Sequence, residues 1–185
     1  GYVIPTGNVG NSTAAYWAKA MGFPIREIVL ATNANRVISD YISNGKFEPK
    51  ASVATIANAM DVGNPSNFER LSHLYNTLDS FKANVTAFSV NDEQIRQIIK
   101  EVNQQFNYVV CPHTATGYFA RKELSAAPWI IAATADPCKF ETIIEPITGT
   151  TLPVAEQLQA ILAKPAQVVE VPADINAVQQ AFASK

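Results

Sequence analysis

Basic blocks are absent from this 185-residue chain. Its 14 lysines and arginines are scattered among 16 acidic residues, for a net charge of −2. That excludes the basic patch or stripe of a nucleic-acid binder. Cysteine is scarce as well: Cys111 and Cys138 are the only two, with no C-x-x-C, and His73 and His113 are the only histidines. Two cysteines build no disulfide framework, and this set offers no zinc-ligand spacing. Two reduced thiols suit a cytoplasmic protein, and that is the expected location. No apolar run approaches the ~20 residues that a membrane helix needs, and no secretory signal opens the chain. Two nucleotide patterns are also missing. There is no G-x-x-x-x-G-K-[ST] and no G-x-G-x-x-G, so no motif lysine reaches a terminal phosphate.

What is present is a core. Hydrophobic residues make up 48% of the chain and charged residues 16%, which suits one lobe, residues 1–185, rather than a disordered tail. The chain opens on Gly1-Tyr2-Val3-Ile4, a strand already under way and without an initiator methionine. A longer protein is therefore expected, with its remainder before Gly1.

The stretch around which the rest is ordered is Pro5-Thr6-Gly7-Asn8-Val9-Gly10-Asn11. It joins that strand to an alanine-rich helix over residues 12–21, stopped at Gly22 and Pro24. Strand, glycine turn and helix start make an anion cradle. The first free N–H groups of the helix and its dipole both favour negative charge there. Gly7, Asn8, Val9, Gly10 and Asn11 form the cup, with Asn8 and Asn11 as side-chain donors and Ser12 and Thr13 as further hydroxyls or a cap. A plain strand-to-helix turn is the other reading of the same residues.

Further along, Ile28-Val29-Leu30-Ala31 reads as a buried strand, completing a right-handed crossover unit. Asn33 and Asn35 stand at its carboxyl end, where open parallel sheets bind ligands; capping of the helix from Arg36 to Ser43 is the favoured role. Gly45 ends that helix. Residues 46–65 form a long connection with an extended or strand-like piece at 52–56, and connections of that length are often functional. Pro65 opens a helix carrying Phe68, Leu71, Leu74, Tyr75 and Leu78 on one stripe. Residues 84–90 alternate as a strand, and Asn91 with Gln94 is a capping signature for a helix to about Gln105. Asn107–Val110 reads as another strand, 113–117 as a turn, and Tyr118–Ser125 as a helix. Residues 128–134 read as the most deeply buried strand of the second half. Amphipathic helices close the chain, one opened by Pro153 and one capped by Asp174 with Ile175, Val178 and Phe182 inward. The fold class is therefore α/β, a mostly parallel sheet with helices on both faces.

Four stretches together carry a resemblance. Pro5–Asn11, Ala31-Thr32-Asn33-Ala34-Asn35, the run from Ala59-Met60-Asp61 through Pro65-Ser66-Asn67-Phe68-Glu69-Arg70, and Cys111-Pro112-His113-Thr114-Ala115-Thr116-Gly117 resemble threonine synthase in the same order. The resemblance implies the later part of a tryptophan-synthase-like, fold type II enzyme that uses pyridoxal 5'-phosphate. It implies conversion of O-phospho-L-homoserine and water to L-threonine and phosphate, with no catalytic residue in this chain. The family's Schiff-base lysine belongs to a segment before the phosphate loop, and neither Lys19, Lys122 nor Lys139 sits in a motif that replaces it; the chain alone is expected to be inactive. The resemblance also implies a threonine on the pyridine nitrogen, Thr114 first and Thr116 second. A hydroxyl donates to an unprotonated ring nitrogen, whereas a carboxylate would hold the ring protonated. His113 reads as a general base or, in the favoured reading, as a residue that orients the turn by hydrogen bonds. Two other functions fit the residues: a related threonine or serine dehydratase, and a non-catalytic lobe that binds a phosphate metabolite.

Overall fold

In the computed structural model, which describes residues 1–154 and 156–183, the first strand is central. β1 (Tyr2–Pro5) leads through the glycine turn into α1 (Gly10–Ala20), and β2 (Ile28–Thr32) returns parallel beside it, Ile4 opposite Leu30. After α2 (Val37–Asn44), a long connection containing a 3-10 turn at Asn58–Met60 leads to α3 (Phe68–Leu74) and α4 (Leu78–Asn84). Then come β3 (Thr86–Ser89), α5 (Asp92–Phe106), α6 (Pro112–Lys122) and β4 (Ile130–Ile131). A 3-10 turn at Pro137–Phe140 precedes α7 (Glu141–Thr148). The sheet is parallel throughout, in the order β3-β2-β1-β4. The chain leaves β1 in one direction for β2 and β3 and comes back on the other side for β4. The carboxyl end of β1 is thus a topological switch point, where such sheets bind ligands.

Alternation along the strands covers both faces of the sheet. Ile4, Ile28 and Leu30 join Tyr16, Ile38, Phe68, Leu71 and Phe81 of α1 to α4 in one core. Val3, Val29 and Ala31 face the other way, against Ala120 of α6. A third cluster packs Ile95, Ile98, Ile99 and Val102 of α5 against Ala115 and Ile144. The expected α/β layering is therefore present.

Contacts part the chain into two compact units, Gly1–Leu152 and Pro153–Lys185. The second holds α8 (Glu156–Leu162) and α9 (Ile175–Ala183). Asp174 caps α9 as expected, its carboxylate accepting from the Asn176 and Ala177 amides at 3.0 Å. Ile175 and Phe182 are exposed rather than inward.

Five local expectations need correction. The piece at 52–56 is not a strand, because side chains take the backbone bonds a strand partner would supply: Val53 N–H goes to Asn35, Thr55 N–H to Asp61 and Ile56 N–H to Asp92. The single stripe from Phe68 to Leu78 is two helices, since the Thr77 hydroxyl accepts from Ser80 N–H and starts α4 afresh. Asn107–Val110 pairs with no strand; Asn107 ends α5 in the left-handed region, φ 49°. Residues 128–134 supply only a two-residue edge strand, and Ile130 is 58% exposed. Finally, 113–117 is helix rather than turn. Pro112 is the first residue of α6, where its missing N–H costs nothing, and Cys111 is the cap, its Sγ accepting from Thr114 N–H at 3.4 Å.

Candidate active site at the end of the first strand

The cup is held open at its base by strain and from outside by a clamp. Val9, the residue before α1, sits at φ 49°, ψ 16°, a conformation a β-branched residue rarely takes. Its side chain is fully buried, so core packing holds the bend. α1 has no side-chain cap, and its first helical bond runs from Thr13 N–H to Val9 O at 2.9 Å. The amides of Gly10, Asn11 and Ser12 thus precede that first bond and open at the mouth of the helix. Ser12 Oγ donates to Val9 O at 3.0 Å, while the Thr13 hydroxyl is buried and has no partner among the described residues.

The clamp is the Ser66-Asn67 pair. Ser66 N–H donates to Asn8 Oδ1 at 2.6 Å, and Asn8 Nδ2 donates back to Ser66 Oγ at 2.9 Å. Asn67 Nδ2 donates to Asn8 O at 3.0 Å, and Arg70 in turn donates to Asn67 Oδ1 at 2.7 Å. Arg70 is therefore a brace for the cup and not part of a surface ion pair. The Asn8 side chain is occupied by this clamp, which leaves backbone as what residue 8 offers.

Asn33 and Asn35 do not cap α2, which has no side-chain cap. They staple the long connection to the end of β2. Asn33 Nδ2 reaches Asp61 Oδ1 at 2.7 Å and Thr55 Oγ1 at 2.9 Å. Its Oδ1 accepts from the Asn35 amide at 2.9 Å, and Asn35 Nδ2 reaches Val53 O at 2.9 Å. Thr55 N–H and Oγ1 both donate to the Asp61 carboxylate, at 3.0 and 2.7 Å. Composition gave no hint of Asp61's place at the hub. Two asparagines two residues apart at a strand end were the available signal, since such amides seek backbone elsewhere when no helix cap is formed.

That stapled connection lies between the two bends. A Cβ built on Gly7 would stand 2.5 Å from Met60 Cα and 2.7 Å from Met60 O. One residue earlier, Ala59 N–H donates to His113 Nε2 at 3.1 Å. On the far side, a Cβ on Gly117 would stand 3.1 Å from Pro5 Cγ and 2.7 Å from Ile131 Cγ2. Thus α6 rests its second turn on the ends of β1 and β4, and its first turn meets the loop that backs Gly7. Both glycines are needed for close approach.

Within α6 the two candidate threonines differ. Thr116 is fully buried and its hydroxyl donates to His113 O at 2.7 Å. The Thr114 hydroxyl lies 3.2 Å from Cys111 Sγ, where either atom can donate. When the thiol donates, the Thr114 proton is free for another acceptor. His113 is 4% exposed, its ring lies against Phe140, and burial pushes its pKa below 6.5, an effect that Asp61 opposes.

Comparison with known proteins names this arrangement. Residues 113–182 match the family described as Threonine synthase, C-terminal. Threonine synthase of Escherichia coli (strain K12) is 32% identical over 179 residues, which are 96% of this chain and 42% of that protein. Over almost its whole length the chain is similar to threonine synthases. A crystal structure of the Escherichia coli threonine synthase superposes over 99% of this chain and 43% of its own with a TM-score of 0.85 at 32% identity. One of a threonine synthase with bound PLP from Brucella melitensis reaches 0.89 at 26% identity, covering 97% of this chain and 45% of that one. This threonine synthase relative thus spans under half the length of the proteins it matches, and its α/β fold is that of the fold type II class.

Proposed function

We propose that this chain supplies the cofactor-phosphate and ring-nitrogen contacts of a threonine synthase, a pyridoxal 5'-phosphate lyase that converts O-phospho-L-homoserine and water to L-threonine and phosphate. The observation that carries the reading is the meeting of Gly117 with Pro5, since it brings the helix bearing Thr114 onto the strand that feeds the cup. Two features fit the cofactor. The mouth of α1 lacks a side-chain cap, and Thr13 keeps a buried hydroxyl without a partner among the described residues.

The residues divide the work by position. Backbone amides of Gly7, Val9, Gly10 and Asn11 hold the phosphate, with Asn8 contributing backbone and Asn11 its exposed amide. Thr114 donates to the ring nitrogen, because the Thr116 proton is already given to a carbonyl. Pyridoxal phosphate, when bound, supplies an electron sink for charge left on the substrate carbon. A hydroxyl at its nitrogen keeps the ring unprotonated, which limits that sink and steers the outcome. Both cysteines are free thiols, as a cytoplasmic enzyme requires, and among the described residues no helix is long and apolar enough to cross a membrane. The substrate and the rest of the enzyme, before Gly1, are its expected partners.

The test has two parts. Titrating this chain with pyridoxal phosphate and with unphosphorylated pyridoxal reads the cup: the phosphorylated form binds, and inorganic phosphate displaces it. Equal binding of both aldehydes would refute the cup. Product analysis of the enzyme that contains this chain, given O-phosphohomoserine, reads the chemistry: threonine and phosphate are expected, and a keto acid would refute the synthase.

A further inference from the structure

We infer that His113 is a positioning residue: a neutral imidazole, protonated at Nδ1, whose Nε2 ties the first turn of α6 to the loop that backs the cup. The geometry stands without the cofactor, while its consequence rests on the reading above. His113 Nε2 accepts the Ala59 amide at 3.1 Å, so that nitrogen carries no proton. The proton must therefore sit on Nδ1, which is buried and has no partner among the described residues. Leaving a buried donor unpaired is costly, so the arrangement persists only because the other nitrogen is needed where it is.

What the tie joins gives it its importance. Ala59 is followed by Met60, whose backbone abuts Gly7, and His113 is followed by Thr114. One hydrogen bond thus fixes the spacing between the two ends of a bound ring. A second proton on the imidazole would set Nε2–H against the Ala59 N–H, two donors face to face. It would also place a positive charge in the first turn of a helix, where the dipole opposes it. Few groups face the ring. Asp61, just past the 58–60 turn, is the charge that acts on it; Phe140, 4.9 Å away, carries none; Cys111 and Thr114 on its own helix are paired with each other. The Asp61 carboxylate is itself occupied, accepting from Thr55, Asn33 and Asn35, and among the described residues it accepts no hydrogen bond from the imidazole.

Two substitutions separate the role from mere volume. His113→Gln places an acceptor oxygen near the Nε2 position, and His113→Asn places its amide near Nδ1 instead. In nitrogen NMR of the ligand-free chain at neutral pH, the Nδ1-protonated tautomer is expected; the Nε2-protonated form would overturn the inference. Hydrogen exchange at Ala59, normalised to its intrinsic rate, should be about tenfold faster in H113N and near wild type in H113Q. It should also speed up as the pH falls in wild type but stay level in H113Q. Equal protection of Ala59 in all three proteins, or no pH effect in wild type, would overturn it. Should H113N fail to fold, the wild-type tautomer and the H113Q profile still decide. Titration with pyridoxal phosphate should show H113N binding about tenfold more weakly than H113Q. Equal binding would refute the tie's consequence; no binding by any of the three would refute the cofactor reading and leave the tautomer and exchange results to judge His113.

Discussion

Replacing Gly117 by alanine sets two effects against each other, and their sizes decide the outcome. Gly117 lies inside α6, so alanine gains helix propensity of about 1 kcal/mol. Against that, the new Cβ would stand 2.7 Å from Ile131 Cγ2 and 3.1 Å from Pro5 Cγ. Ile131 is a partly buried residue of an edge strand two residues long and can yield. Pro5 cannot: its ring is fixed in β1, and the helix must move by a few tenths of an ångström. Overpacking of this kind costs about 1–3 kcal/mol. The net loss of stability is then between zero and about 2 kcal/mol. In a domain of this size that is a fall in Tm of between zero and about 8 °C, at about 2–4 °C per kcal/mol. Cofactor binding should suffer more. The displacement carries Thr114 away from the cup, and misplacement by 1 Å costs about a hundredfold in such sites, so a few tenths costs roughly fourfold. Thermal melting by circular dichroism and titration with pyridoxal phosphate measure the two numbers on one sample. Affinity and Tm both equal to wild type would refute the argument that this contact sets the spacing.

Three further outcomes are expected. Gly7→Ala should weaken cofactor binding more than Gly10→Ala, since the first meets Met60 backbone at 2.5 Å and the second meets only the Asn67 amide at 3.2 Å; a reversed order in the same titration would count against the cup. Asp61→Asn should cost about 1–3 kcal/mol in urea unfolding, because its NH2 would face Thr55 N–H in one orientation and the Asn33 amide in the other; a loss below ~0.5 kcal/mol would show that the hub is dispensable. Burial lowers the pKa of His113, so its contribution to stability is complete above 6.5 and is lost as the pH falls through the lower, folded value. Urea midpoints should therefore decline on the acid side of 6.5 in wild type and decline less in H113Q; parallel curves would exclude His113 as the source.

Much of the site was legible because its signals are local. Gly7 and Gly10 between an apolar run and an alanine-rich helix describe a backbone, and the backbone is what formed. Asn91 with Gln94 gave the cap of α5, and Gly45 gave the left-handed end of α2, φ 78°. The failures were also physical. Pro112 ends an apolar run and begins a helix, and the sequence alone favours the first reading until Cys111 is recognised as a cap. Residues 128–134 are apolar enough for a central strand, but the ladder takes in just Ile130 and Ile131, beside Tyr2 and Val3, and nothing in the run itself reports that. Ser52–Ile56 has strand composition, yet its amides are claimed by Asn35, Asp61 and Asp92, and those partners lie 6 to 36 residues away.

That last failure bears on how the site is built. A strand at 52–56 would have given the connection its own place in the sheet, remote from the cup. Instead, beside the bonds it closes within itself through Asp61, it is tied outward to side chains fixed by the sheet or the helices: Asn33 and Asn35 past β2, with Ser89 donating to Asn33 O at 2.8 Å, and Asp92 in the first turn of α5. The connection thus inherits the rigidity of β2, β3 and α5 without joining them. Held in this way, residues 59 and 60 meet Gly7 on one side and His113 on the other. A loop free to move could not keep two bends from distant parts of the chain at a fixed spacing. The side-chain hub centred on Asp61 therefore matters to binding through distance, and its loss should separate the cup from Thr114 before it unfolds either.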